Sequence, residues 1–180
     1  MKYLLDGQET QRLKFRLLQD DDFAAWTDLF RDGVAGGFLG MAHLTTPEEQ
    51  CQKWFDRAHD RYSHNLGGMN VLVDKKINKM VGQCGLLVQE VDEVTELEVG
   101  YSILPQYQKM GYATEAARKC RDYAFENGFK ESLISIIHID NIKSEQVALR
   151  NGMKKSKRTV FKGMPVNIYR ITKPEWTAVK

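Results

Sequence analysis

The stretch from Glu96 to Asn127, ELEVGYSILPQYQKMGYATEAARKCRDYAFEN, constrains this chain more than any other. Leu97, Val99, Tyr101 and Ile103 alternate with Glu96, Glu98, Gly100 and Ser102, the period-two pattern of a strand. Pro105 ends that ladder because it has no amide hydrogen to donate. Beyond Gly111, small apolar residues recur at Ala113, Ala116, Ala117, Cys120 and Ala124. That is helical spacing, with a face flat enough to lie close against a sheet. The loop between, Gln108-Lys109-Met110-Gly111-Tyr112-Ala113, brings backbone amides to the start of the helix. A helix start leaves its first amides unpaired and carries partial positive charge, so it suits a phosphate. Spacing alone leaves two readings open here, a phosphate cradle and a purely structural turn.

Around this stretch the chain predicts a mixed α/β order. Leu13 to Leu17 alternates as a first strand. Asp20 to Asp22 offers capping oxygens, and Phe23, Trp26, Leu29 and Phe30 follow at helical spacing. Gly33 to Gly40 holds four glycines in eight residues and reads as loop. Thr46-Pro47-Glu48-Glu49 starts a helix with a capping box and a proline at the first position, and Cys51, Trp54, Phe55, Ala58 and Tyr62 form its apolar stripe. Met69 to Val73 and Met80 to Val88 precede the central strand, giving three antiparallel strands in succession. Asn127-Gly128 stops the central helix. Leu133 to Ile137 is a β-branched apolar run suited to a strand buried on both faces. Asn141 or Ser144 begins another helix, and Lys155 to Phe161 with Val166 to Ile171 closes the chain as a hairpin around Lys162 to Pro165. The strand–helix–strand unit from Glu96 to Ile137 places two strands parallel.

Composition narrows the function classes. A chain of 180 residues without a dividing linker is expected to be a single domain, 1–180. A net charge of +2 gives no global field for nucleic acid or an anionic membrane. Cys51, Cys84 and Cys120 lack metal-ligand spacing and cannot all pair; Cys51 and Cys120 fall on apolar helix faces, so packing is the expected role. The histidines form no metal-ligand cluster, so no metal is expected. Met1 to Asp6 lacks the apolar run of a signal peptide, and no segment has the length of a membrane span, so the expected location is cytoplasmic. Lys154 to Arg158 is the one dense basic run, expected as a solvated edge strand with an RNA contact as the weaker reading. The oligomeric state is not fixed by these residues, and a homodimer is compatible with them.

Two blocks of residues carry a family resemblance. Gln108-x-x-Gly111-x-Ala113 resembles the Q/R-x-x-G-x-G/A signature of the GNAT superfamily of N-acetyltransferases. Glu98-Val99-Gly100-Tyr101 with Gly111-Tyr112-Ala113-Thr114-Glu115-Ala116 resembles its RimJ/RimL-type branch, and Asp140-Asn141-Ile142-Lys143-Ser144 with Asn151-Gly152-Met153 is similar to that branch's second block. The resemblance runs from about Leu13 to Ile171, and Lys109 stands where that branch often has glycine. It implies a mixed, mostly antiparallel sheet flanked by helices, with a splayed parallel strand pair whose V holds the pantetheine arm of acetyl-CoA. It implies further that Gln108, Lys109, Met110, Gly111, Tyr112, Ala113 and Thr114 hold the pyrophosphate, that Tyr101, Ser102 and Ile103 pair with the pantetheine, and that Asn141 and Ser144 lie near the sulfur.

Acetyl transfer to an amine requires the ammonium to lose a proton and the departing thiolate to be stabilised. Glu98 is the first candidate for the base, because a carboxylate on a central strand is costly unless it has a task, and desolvation raises its pKa. Glu96, on the same strand face, is the reserve. Ser144 is the candidate partner of the thiolate, and both Asn141 and Ser144 are equally suited to capping a helix. Tyr101, Tyr107 and Tyr112 are further hydroxyls, each as well explained by packing. His138 is left unassigned. The acceptor region is expected between Trp26 and Leu44 and between Lys162 and Asn167, with Phe38, Met41 and His43 as lining. The expected function is N-acetyl transfer from acetyl-CoA to a primary amine, of a protein terminus or a small molecule. The rivals are a non-catalytic acyl-CoA-binding module and a nucleotide-binding domain; the chain lacks G-K-[ST] and G-x-G-x-x-G at the loop, which speaks against the latter.

Overall fold

Seven strands make one sheet in a computed structural model that describes residues 2–178. The strands are β1 (Leu13–Arg16), β2 (Gly67–Asp74), β3 (Lys79–Val91), β4 (Val94–Ile103), β5 (Ser132–His138), β6 (Lys154–Phe161) and β7 (Met164–Thr172). They lie in the order β1-β2-β3-β4-β5-β7-β6. The β4–β5 pair is parallel and the other neighbouring pairs are antiparallel. The helices are α1 (Phe23–Thr27), α2 (Val34–Phe38), α3 (Pro47–Ser63), α4 (Tyr112–Glu126), α5 (Ile142–Arg150) and α6 (Lys173–Ala178). This is the mixed, mostly antiparallel sheet with flanking helices that the sequence predicts.

Alternation along the strands divides the core between the sheet's faces. Leu72 packs in one cluster and its neighbour Val71 in another, because successive strand residues point to opposite sides. The first cluster lies under α4, where Leu97 and Val99 of β4 meet Ala116, Ala117 and Cys120, all at most 1 % exposed. Small side chains let this helix sit close enough that the Cys84 and Cys120 sulfurs are 3.5 Å apart. Both thiols are sealed from solvent, and burial pushes the Cys120 thiol well above its ordinary pKa. Cys51 is equally buried, so all three cysteines are packing residues. The second cluster gathers Trp26, Phe30, Met41, Phe55, Val71 and Leu104 between the sheet and α1 to α3.

Local signals set the helix starts. Thr46 caps α3 by accepting from the Glu49 amide at 3.2 Å, while the Glu49 carboxylate accepts from the Thr46 amide at 3.1 Å, as the capping box predicts. Asn141 caps α5 by accepting from the Ser144 amide at 3.2 Å. The segment read as loop from Gly33 to Gly40 is instead partly helical, as α2. Glycine disfavours a helix by about 1 kcal/mol per residue, and tertiary packing outweighs it here. The Gln50 side chain donates to the carbonyls of Met41 at 3.3 Å and Leu44 at 3.0 Å, tying the segment to α3. A Cβ on Gly36 would stand 2.4 Å from Gln50 Oε1, so only glycine admits this approach. Two further differences are the breaking of the first expected helix into α1 and short 3-10 turns, and the unforeseen α6, whose Trp176 packs 5.2 Å from Phe125. The basic run lies on the edge strand β6, with Lys157 paired to Asp92 at 2.5 Å and Lys154 to Glu175 at 2.9 Å. No helix among the described residues is long and apolar enough to cross a membrane.

Candidate active site

β4 and β5 touch as a ladder at one pair, Glu98 with Ile134, and then part. Just past that point the Ser135 hydroxyl donates to the Val99 carbonyl at 2.7 Å, so a side chain replaces the missing rung. Tyr101, Ser102 and Ile103 keep their partners Cys84, Gln83 and Gly82 on β3 but have none on the β5 side. A cleft of about 760 Å³ opens along this unpaired edge. Every residue singled out above as catalytic or cofactor-binding lines it except Met110 and the reserve base Glu96. The Met110 side chain is 53 % exposed, and its carbonyl accepts from Arg12 Nη1 at 2.9 Å on the outside of the loop.

One end of the cleft is the start of α4. Its N-cap, Gly111, has φ +83° and no side chain caps the helix, unlike α3 and α5. The first intrahelical bond runs from the Glu115 amide to the Gly111 carbonyl at 3.1 Å, so the amides of Tyr112, Ala113 and Thr114 lie ahead of the ladder, at the positive end of the helix. Backbone conformation, not crowding within the protein, demands glycine at 111: a Cβ would meet only Arg12 Nη2, at 3.4 Å. Lys109 also adopts a left-handed φ of +64°, a conformation that favours glycine. Arg12 braces the loop from outside, with Nε on Glu115 Oε2 at 2.6 Å and its guanidinium over the Tyr112 ring at 4.5 Å. Burial acts against the Glu115 carboxylate, but hydrogen bonds from Thr10 and Arg12 hold its pKa below the usual value. No local sequence signal marks Arg12, since its partners lie about a hundred residues away. Gln108 donates to the Ile103 carbonyl at 3.2 Å and accepts from Lys143 at 3.2 Å, which adds Lys143 to the cationic groups of this end.

Glu98 sits at the fork itself. Its Oε2 accepts from Gln89 Nε2 at 2.7 Å. Burial pushes the carboxyl up, while the Gln89 hydrogen bond, the Arg61 charge, the Ile136 amide and Lys162 pull it back; the balance is a raised pKa. Glu96 does not line the cleft, although it shares the strand face. It is engaged by Arg170, whose Nη2 lies 2.5 Å from Glu96 Oε1 and whose Nη1 also donates to Ser132 Oγ at 2.7 Å. The reserve candidate is therefore a structural ion pair.

The hydroxyls separate in the same way. Tyr112 donates to Asp74 Oδ2 at 2.6 Å, and that bond raises its pKa, so its hydroxyl is committed away from the cleft. Tyr101 donates to the Ser144 carbonyl at 2.7 Å and burial raises its pKa far above the ordinary value; it clamps β4 to α5. The Ser144 hydroxyl itself has no hydrogen-bond partner among the described residues, and Ser144 lines the cleft. His138, at the end of β5, packs its ring 5.3 Å from Phe38 and accepts from the Asp140 amide through Nδ1 at 3.2 Å.

The other end of the cleft is walled by α2, α3 and the β6–β7 hairpin. Phe38 lines it as expected, with Lys162, Met164 and Val166 from the hairpin. Met41 does not: it is fully buried in the α1–α3 core. His43 is exposed outside the cleft. Arg57 and Arg61 of α3 also line this end, unmarked by any motif.

Known proteins share this fold. The family model described as the GNAT acetyltransferase domain matches residues 12–154. The Bacillus subtilis protein YkkB is 30% identical over 162 residues, covering 89% of this chain and 92% of its own. Among solved structures, an acetyltransferase from Agrobacterium tumefaciens has a TM-score of 0.76 at 24% identity, covering 95% of this chain and 96% of its own. The fold is shared too by a spermidine N-acetyltransferase from Vibrio cholerae, solved with CoA and spermine, at TM-score 0.71 and 16% identity over 93% of this chain and 99% of its own. With the open start of α4, the forked strands and a family model spanning most of its length, the chain belongs to the GNAT acetyltransferases, which take their acetyl group from acetyl-CoA.

Proposed function

We propose that the protein transfers acetyl from acetyl-CoA to a primary amine by direct attack on the thioester, with Glu98 as general base, directly or through a water. The observation that carries this is the position of Glu98: a carboxyl with a raised pKa at the fork of the same slot whose far end is the uncapped start of α4. A base whose pKa is lifted toward neutrality is matched to taking a proton from an ammonium. In this reading the amides at 112–114 and the Gln108 to Gly111 loop hold the pyrophosphate, and the open edge of Tyr101 to Ile103 pairs with the pantetheine. Asn141 fixes the first turn of α5, which presents the Ser144 hydroxyl for a hydrogen bond to the departing thiolate. A backbone amide of β4 polarises the thioester carbonyl. The acceptor enters from the end walled by Phe38 and the β6–β7 hairpin. Proteins of this fold differ in acceptor: RimL is an acetyltransferase of ribosomal protein L7/L12, and the Vibrio cholerae enzyme one of spermidine.

The test is titration calorimetry with acetyl-CoA combined with thiol release over peptide and small-amine panels. Binding with CoA release that Glu98→Gln abolishes supports the reading. Tight binding with no release from any amine, unchanged in Glu98→Gln, makes the protein an acyl-CoA-binding module instead.

A further inference from the structure

The acceptor end of the cleft holds three cations and three carboxylates, and none of the cations makes an ion pair among the described residues. Arg57 and Arg61 stand four residues apart on α3, on one helix face, and Lys162 approaches from the β6–β7 turn. Arg61 is part of the wall: its Nη2 donates to the carbonyls of Leu66 at 3.0 Å and Val88 at 2.5 Å. Its buried Nε has no partner among the described residues. Arg57 has neither hydrogen bond nor ion pair among the described residues, and Lys162 lies 5.0 Å from the Phe161 ring and feels the Glu98 charge without an ion pair among the described residues. Arg12, Arg16, Arg31, Arg121 and Arg170 are paired, with Glu115, Asp22, Asp28, Asp122 and Glu96, whereas Arg118, Arg150 and Arg158, like Arg57, have no ion pair among the described residues.

Each carboxylate at this end has a hydrogen-bond or ion-pair partner other than Arg57 and Lys162, although Glu98 still attracts Arg61 and Lys162 through space. Asp60 pairs with His64 at 3.1 Å, and Asp32 accepts from the Val34 amide at 3.0 Å. Glu98 is held by Gln89. The cations crowd one another: burial first, then the charges of Arg57 and Arg61, lower the Lys162 pKa. Arg61 and Lys162 act on Glu98, which stands apart from the phosphate cradle of the reading above. Glu98 lies five residues before Ile103 on β4, about 17 Å back along the strand from the α4 end of the cleft.

We propose that the acceptor is a primary amine carrying an anionic group, a carboxylate or phosphate, which Arg57 and Lys162 bind while Arg61 fixes the wall and Glu98 faces the amine. This rests on the transferase reading above. An anion relieves the mutual repulsion of the three cations, whereas a polyamine would add to it. Arginine and lysine suit both anions, the guanidinium by paired N–H donors and the ammonium as a point charge.

The experiment uses matched amines at equal concentration: β-alanine against its amide, 4-aminobutyrate against its methyl ester, O-phosphoethanolamine against ethanolamine, and spermidine as the cationic control. Two readouts run in parallel, CoA release from acetyl-CoA and calorimetric binding to the CoA-loaded protein. Expected is a kcat/KM at least about tenfold higher for the acidic member of a pair, carried by KM, and a loss of that preference in Arg57→Gln and Lys162→Gln. The acetyl-CoA KM should stay within about threefold in both variants, because they lie away from the cradle. The carboxylate and phosphate pairs identify which anion the site takes. CoA release with neutral or cationic amines equal to or better than the acids overturns the anion site and leaves the transferase standing. Acids that bind without CoA release in any pair, with binding lost in the variants, overturn the transferase reading and leave the anion site. Neither binding nor release from any amine of the panel, acidic, neutral or cationic, overturns both.

Discussion

At the α4 end of the cleft, the lining comes chiefly from one stretch, Gln108 to Thr114 without Met110, and the cradle proposed there is made mostly of backbone amides. At the other end they are side chains brought from α2, α3, β4 and the β6–β7 hairpin. A backbone cradle depends on one conformation, set by Gly111 at φ +83°, and tolerates change in the side chains around it. A side-chain pocket depends on which residues the fold happens to juxtapose. The first kind of site can therefore persist while the second diverges, and one donor can serve many acceptors.

Substitutions separate the two ends. The largest expected effect is at their junction: Glu98→Gln lowers kcat by about a thousandfold in a thiol-release assay, within the range for losing a general base, while acetyl-CoA affinity stays within about threefold. The same variant tests the charge. Since burial raises the folded-state pKa of Glu98, the wild-type rate should fall as pH drops through that raised value, and the variant should lose this acidic limb. For stability the sign is opposite. The folded state holds this proton more tightly than the unfolded chain, so the contribution is present below the unfolded pKa and is lost as pH rises through the raised one. Glu98→Gln should thus match wild type in acid and exceed it at neutral pH, by about 1.4 kcal/mol for every tenfold by which folding tightens proton binding, in denaturant titrations at both pH values.

Next in size is the cradle. Gly111→Val forces a β-branched residue into left-handed backbone and should weaken acetyl-CoA binding by about a hundredfold in calorimetry, with the circular dichroism spectrum retained. Equal affinity would mean that the start of α4 is only a turn. Ser144→Ala should lower kcat by about tenfold, the worth of one hydrogen bond to a charged group, at unchanged acetyl-CoA affinity. Smallest is Ser135→Ala, which removes the side-chain rung to Val99 and should cost about 1 kcal/mol, read as a Tm lower by roughly 2–4 °C.

Legibility in the sequence follows the same division. The α3 capping box, the alternation of β4 and the small face of α4 are local patterns, and each folds as it reads. Glu98 and the 108–114 loop stand out because a charged residue on a central strand and a glycine before a helix are local anomalies. Glu96 offers the same local signal as Glu98, and only the Arg170 guanidinium, seventy-four residues away, tells them apart. The Gly33–Gly40 segment misleads because the group that orders it, the Gln50 amide, lies on the next helix. Arg57 and Arg61 are invisible for a related reason. Basic residues on an amphipathic helix ordinarily face water, and nothing nearby says that a hairpin a hundred residues later closes over them.

The single rung between Glu98 and Ile134 has a mechanical consequence. It leaves the sheet as two plates, β1 to β4 and β5 with β7 and β6, joined along a seam that is short of a strand. If the pantetheine arm lies along that seam, each turnover inserts and withdraws a structural member of the sheet. Spent CoA carries the same arm as acetyl-CoA, and the seam has no reason to let go of it when the acetyl group leaves. Used carrier therefore competes with fresh acetyl-CoA for the same seam.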